Sequence, residues 1–172
     1  MAGINSRSKG NRAELIAAKV MEVWAGKKFA RVPSSGGLQW KTSNAKGDIC
    51  CTEEGHFFPF CLEIKNYKEI NFEHLLYLET PDIVKFWDQC TRDAEIARKC
   101  PILMMRYNGL PKSFFFVCVP DEVYNGVFDE YTTVTDKLIR VPHLNFTIIT
   151  TETLLKIPYR KIRKIVKTLY RA

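Results

Sequence analysis

Asp48, Glu63 and Lys65 are the residues of this 172-residue chain whose types and spacing could do chemistry together. Glu63 and Lys65 lie two apart in the apolar run Phe60-Cys-Leu-Glu-Ile-Lys65, so a strand there points both side chains to one face. Asp48 opens the preceding run Asp48-Ile-Cys-Cys, and Glu54-Gly55 between the two runs predicts a hairpin turn. A hairpin of Asp48–Thr52 and Phe57–Lys65 would gather two carboxylates and an ammonium at one end of a sheet. Burying three such groups costs free energy unless they pair or bind a cation. Mg²⁺ suits the set, because it takes one or two carboxylates and completes its octahedron with waters and phosphate oxygens. It would lower the pKa of its water and stabilise charge on a phosphate under attack. Lys65 could orient or deprotonate that water, or neutralise the intermediate. The plainer alternative is a strand-edge Glu63–Lys65 salt bridge with Asp48 as a turn residue.

Elements must position these groups, and the chain is long enough for one domain with a sizeable core. Asn11 and Glu14 have capping-box spacing, and Ile16, Val20, Val23 and Trp24 follow at helical intervals, which predicts a helix over 12–25 ending at Gly26. Phe29–Val32 reads as a short strand closed by Pro33, and a polar loop runs on to Lys46. Pro81-Asp82 opens the clearest helix, with Ile83, Phe86, Trp87, Cys90, Ala94 and Ala97 in one apolar stripe. Ile102–Tyr107 and Ser113–Val119 read as strands around Asn108-Gly109, with weaker strands at 138–141 and 146–150. Thr151 is a candidate cap for a final turn, and Pro158 a start for the last helix, lined by Tyr159, Ile162, Ile165, Val166 and Leu169. This order predicts a single α/β domain, a mixed central sheet flanked by helices over 1–172.

Composition narrows the classes. No apolar run approaches a membrane span, and Met1–Arg12 has no apolar leader core, so an intracellular protein with no membrane partner is expected. The six cysteines form no C-x-x-C pair and lie in apolar segments, which predicts buried, reduced thiols rather than disulfides or zinc ligands. The net charge of +7 is uneven: residues 1–46 and 153–172 each carry +7, and 47–152 carries −7. Basic ends around an acidic middle suit a protein that holds a polyanion and cations together; solvated tails are the alternative.

The order helix, strand, loop, Asp48, E-x-K resembles the PD-(D/E)-x-K nuclease superfamily, more narrowly the archaeal-type Holliday junction resolvases and their phage relatives. The likeness rests on Lys9-Gly-Asn-Arg-Ala-Glu14, Phe29-Ala-Arg-Val-Pro-Ser34, Gly47-Asp48-Ile, Leu62-Glu63-Ile-Lys65, Pro101-Ile-Leu-Met and Phe115-Phe-Val-Cys-Val-Pro120. It covers residues 9 to about 122, the expected nuclease core, with extra strands and a basic helix in 123–172. The resemblance implies a restriction-endonuclease-like fold. Asp48, Glu63 and the Ile64 carbonyl would be ligands of Mg²⁺, with Mn²⁺ as a substitute, and Lys65 the catalytic lysine. Glu14 would complete the acidic site directly or through water, unless it is the capping partner of Asn11. Ser34 matches a serine used near the scissile phosphate, and Gln89 falls where the family often has a helix glutamine. Lys9, Arg12, Lys27, Lys28, Arg31, Lys41 and Lys46 would contact DNA phosphates around the mouth of the site.

Three positions depart from the family. Gly47 replaces the usual proline, a change expected to free the backbone without affecting ligation. The segment after Lys65 is longer, and the tail after Pro120 has no counterpart. The implied activity is a structure-selective DNA endonuclease that nicks four-way junctions in pairs. It would work as a homodimer in the cytoplasm, or in a host's cytoplasm if the protein is phage-encoded. Apolar Phe72–Leu78 is a candidate dimer surface. The rival readings are a nuclease for flaps, ends or restriction-type cleavage, and a non-catalytic DNA-binding module on the same fold.

Overall fold

The structure, a computed structural model, describes residues 6–32, 47–77, 81–133 and 135–170, with the backbone alone at 6–9 and at Asp129. Ser34, Lys41, Lys46, Leu78 and the Lys9 side chain lie outside the described residues. The elements run α1 (Ser6–Ala25), β1 (Phe29–Arg31), β2 (Ile49–Cys51), β3 (Phe60–Tyr67), α2 (His74–Tyr77) and α3 (Asp82–Ala97). Next come β4 (Cys100–Tyr107), β5 (Phe116–Pro120), α4 (Asp121–Val123), a π-helical turn (Tyr124–Phe128) and α5 (Asp129–Tyr131). The chain closes with β6 (Ile139–Val141), β7 (Phe146–Thr150), α6 (Thr151–Lys156) and α7 (Tyr159–Tyr170).

Seven strands form one sheet in the order β1-β2-β3-β4-β5-β7-β6. Among the described strands β3 and β4 are the pair that runs parallel, because α3 carries the chain from the end of one back to the start of the other. Both faces are covered, as expected for a predominantly apolar pair of central strands. Met21, Trp24, Phe58, Phe60, Leu62, Ile102, Phe128, Ile162 and Val166 belong to the core on the side of α1 and α7. Ile83, Trp87, Cys90, Leu103, Met105 and Phe146 form the core on the side of α3. The single α/β domain with a mixed, helix-flanked sheet is therefore observed as predicted. Among the described residues, no helix is long and apolar enough to cross a membrane.

Several boundaries differ for physical reasons. Helix α1 begins at Ser6, six residues before the expected start, so Asn11 and Glu14 lie within it and form no capping box. Both side chains instead reach the guanidinium of Arg31. The β2–β3 connection is longer than a tight hairpin, and a single register pair, Ile49 with Leu62, joins the strands. The expected irregular stretch after Pro120 holds helical turns that bury Val123, Tyr124, Val127 and Phe128. The cap of α6 is Thr150, whose Oγ1 accepts from the Thr153 N–H. Thr151 serves another purpose: its hydroxyl accepts from the Phe115 N–H at 2.7 Å and donates to the Phe115 carbonyl at 3.1 Å.

The final helix is docked, not free. Tyr159, Ile162 and Val166 bury against the α1 side of the sheet. Trp24 ties the two ends of the chain together, donating from Nε1 to the Ile157 carbonyl at 2.8 Å while its ring meets Phe60 and Tyr159. This packing fixes α1, and with it the flank of the site.

Candidate active site

Strand alternation on β3 puts Phe60, Leu62 and Ile64 into the α1-side core and turns Cys61, Glu63 and Lys65 toward α3. Glu63 is only 5% exposed. Lys65 Nζ lies 2.6 Å from Glu63 Oε1 and donates to Gln89 Oε1 on α3 at 3.0 Å. The Phe86 ring, one helical turn before Gln89, lies 5.5 Å from the ammonium. Three groups thus hold the lysine head beside Glu63. Gln89, expected only by position, is brought into the site; Phe86 was expected only as core.

Asp48 sits just before β2 and is tied to β3 twice. Its N–H donates to the Leu62 carbonyl at 2.8 Å, and its Oδ2 accepts from the Ile64 N–H at 2.7 Å. The carboxylate is therefore held at the peptide between Glu63 and Lys65. Gly47 makes this approach feasible. Its φ is +87°, and a Cβ there would stand 2.5 Å from the Leu62 carbonyl oxygen and 2.8 Å from the Leu62 nitrogen. Proline, locked near φ −65°, cannot adopt that backbone, so the glycine is a steric requirement here rather than added freedom.

Burial is the main force on Asp48, and the Glu63 charge adds to it; together they raise its pKa from 3.8 to about 7. The Ile64 N–H and the Lys65 charge pull the other way, and Glu14 raises it further from α1. Glu14 is thus close enough to act on Asp48, although its own carboxylate is ion-paired with Arg31 Nε. Asn11 Oδ1 accepts from Arg31 Nη2 at 2.6 Å. Asn11 is therefore the partner that fixes Arg31, a role no local sequence pattern reveals, since it depends on a residue twenty positions away.

Among the described residues, no three acidic, histidine or cysteine side chains converge as a ready metal cage. What converges is Asp48 and Glu63, whose charges act on each other, with Lys65 paired to Glu63: two hard-oxygen carboxylates for one ammonium. That set fits a divalent cation of the Mg²⁺ kind, which needs one or two carboxylates.

The expected DNA contacts do not all surround this centre. Arg12 is exposed on α1 near it. Arg31 is engaged by Glu14 and Asn11. Lys27 is ion-paired to Glu53 at 2.8 Å, and Lys28 is exposed beside it. Both lie past the far end of α1, about 16 Å of helix from Glu14, so they do not line the mouth of the site.

Comparison with known proteins agrees with this architecture. The model of a family described as "Phage putative PDDEXK endonuclease" matches residues 5–166, well past the stretch on which the resemblance rested. Protein D14 of Escherichia phage T5 is 31% identical over 105 residues, which are 60% of this chain and 65% of that protein. The chain therefore aligns with slightly less than two thirds of that relative's length. No solved structure matches. Nucleases of this superfamily generally use divalent metals, and a nuclease of this family acts on DNA. With the match running from the first turn of α1 into α7, the chain belongs to the family described as "Phage putative PDDEXK endonuclease".

Proposed function

We propose that the protein is a Mg²⁺-dependent, structure-selective DNA endonuclease that resolves four-way junctions as a homodimer. The observation that carries the reading is the 2.7 Å bond from the Ile64 N–H to Asp48 Oδ2, which joins the aspartate to the E-x-K strand at the peptide between Glu63 and Lys65. Asp48, Glu63 and the Ile64 carbonyl would hold the metal, with Mn²⁺ able to replace Mg²⁺. Such an ion supplies Lewis acidity, stabilising charge on a phosphate and making water a better nucleophile. Lys65 Nζ, held by Glu63 and Gln89, would exchange a proton with an attacking water or offset charge on the phosphate. Glu14 tunes Asp48 from α1, and the family resemblance would give Ser34 a role near the scissile phosphate.

Paired incision on opposite strands needs two centres related by a two-fold axis. In the candidate dimer segment, Phe72 and Leu75 face the domain, whereas Leu76 and Tyr77 are 88% and 66% exposed. They supply an apolar surface for a second copy.

The test is cleavage of labelled four-way junction, flap and linear duplex in Mg²⁺ or EDTA, beside Asp48→Asn and Lys65→Ala. Paired symmetric nicks in the junction, lost in both variants while junction binding persists, support the reading. Equal cutting of linear duplex removes junction selectivity, and binding with no metal-dependent cutting removes the enzyme.

A further inference from the structure

Arg106 is an arginine inside an apolar strand, only 8% exposed. Its guanidinium donates to the carbonyls of Lys112 at 2.5 Å, Leu110 at 3.2 Å and Pro111 at 3.4 Å, and its Cζ lies 5.4 Å from the Phe115 ring centre. All of these partners are neutral. A buried guanidinium is ordinarily matched by a carboxylate, but the charge that acts on Arg106 is another cation, Arg12 of α1. Lys112, exposed on the loop that Arg106 holds, is a third.

These three cations line one cavity of about 570 Å³ with Asn66 and Asn108, and no acidic side chain is among the described residues that line it. The cavity adjoins the site. Asn66 directly follows Lys65 and pairs in register with Arg106, so strand alternation puts both on the α1 face at the end of β3, around the strand from Lys65; Ala13, which also lines the cavity, directly precedes Glu14. Three positive groups without a counter-charge, in a polar cavity beside a carboxylate centre, make a receptor for phosphate.

We propose that Arg12, Arg106 and Lys112 form a phosphate subsite that holds a DNA phosphate neighbouring the one to be cut. The inference rests on the endonuclease reading and adds a second anchor point to it. Arg106 is the fixed member, locked by the loop carbonyls; Arg12 reaches the phosphate from α1 and Lys112 from the loop. Two fixed phosphates set where along the strand the reacting one falls, without reading sequence.

The test uses the full chain in EDTA, which prevents cutting, and fluorescence anisotropy of a labelled four-way junction and a duplex across a salt series. Arg12→Gln/Lys112→Gln alters two exposed side chains, and Arg106 is left intact because it also anchors the loop. A thermal unfolding curve matching wild type establishes that the variant folds. The expected loss in affinity is about tenfold, with the log K against log salt slope shallower by about 0.9, as for one phosphate contact. Single phosphates are then replaced by uncharged methylphosphonate. At one position near the cut, replacement should weaken the wild type about tenfold and leave the variant unaffected, by the logic of a double-mutant cycle. Unchanged affinity and slope in the variant, or replacement effects identical in both proteins, would overturn the subsite. If the wild type still cuts DNA in Mg²⁺, those results remove the subsite alone. A wild type that neither binds nor cuts removes the endonuclease reading with it.

Discussion

Metal binding should be in direct competition with a proton on Asp48, and the structure sets the scale of that competition. In the metal-free protein burial and the neighbouring Glu63 raise Asp48 to a pKa of about 7. A ligand carboxylate must lose its proton to bind a cation. With a pKa of about 7, roughly nine tenths of the groups are protonated at pH 6 and about one tenth at pH 8, so apparent affinity should be about tenfold weaker at pH 6, or about 1.4 kcal/mol. Close to one proton should leave per ion bound at pH 6. The sign for stability runs the other way. Asp48 binds its proton more tightly folded than unfolded, so metal-free protein loses stability as pH rises from about 4 to about 7. Mg²⁺ restores it most strongly above pH 7, following the logarithm of ligand concentration over Kd. The assay is titration calorimetry with Mg²⁺ at pH 6, 7 and 8 in two buffers of different ionisation enthalpy, with thermal unfolding at each pH. Asp48→Asn cannot titrate, so any metal binding it keeps should show no such pH dependence, and its metal-free form should be relatively stabilised above pH 7. An affinity flat between pH 6 and 8, or a pH dependence that survives in Asp48→Asn, would refute the reasoning.

Three further outcomes follow from single contacts. Gly47→Ala should cost roughly 2–4 kcal/mol and weaken metal binding, because the added Cβ meets backbone atoms of Leu62 at a positive φ; unfolding curves and a metal titration check both. Trp24→Phe leaves the Ile157 carbonyl without its buried donor, and should cost about 1–3 kcal/mol with metal affinity unchanged. Arg31→Ala strands the half-buried Glu14 carboxylate and should cost roughly 1–3 kcal/mol. By adding unpaired negative charge beside Asp48, it should also shift the pH dependence of metal binding upward, which the calorimetric series reads directly.

The parts of this fold that the sequence announced are those governed by local periodicity. Alternation put Glu63 and Lys65 on one face of β3, and the stripe from Ile83 to Ala97 marked α3 within a residue of its observed ends. What stayed hidden depends on partners distant in the chain. Asn11 and Glu14 imitate a capping box, but the guanidinium of Arg31 is the stronger partner, and the helix extends past them. The turns over 121–131 escape a 3.6-residue pattern because a π-helical turn lies in their middle. Gly47 could not be read as a steric requirement, since the obstacle is the backbone of Leu62, fifteen residues on. Arg106, a lone arginine in an apolar run, carries no signal until its neighbours in the fold are known.

All six cysteines are reduced and buried, and they are spread over β2, β3, α3, β4 and β5. Burial pushes the Cys61 thiol up to about 12 and raises the other five above the usual thiol range. Thiols that are protonated and screened from solvent do not meet alkylating reagents. The molecule therefore carries its own set of opening reporters, with no engineered label. How fast a maleimide or iodoacetamide tags a given cysteine measures how often its strand opens to solvent. Peptide mapping of that labelling would separate fraying at the sheet margin, read by Cys50 and Cys51, from rupture of its centre, read by Cys100 and Cys118.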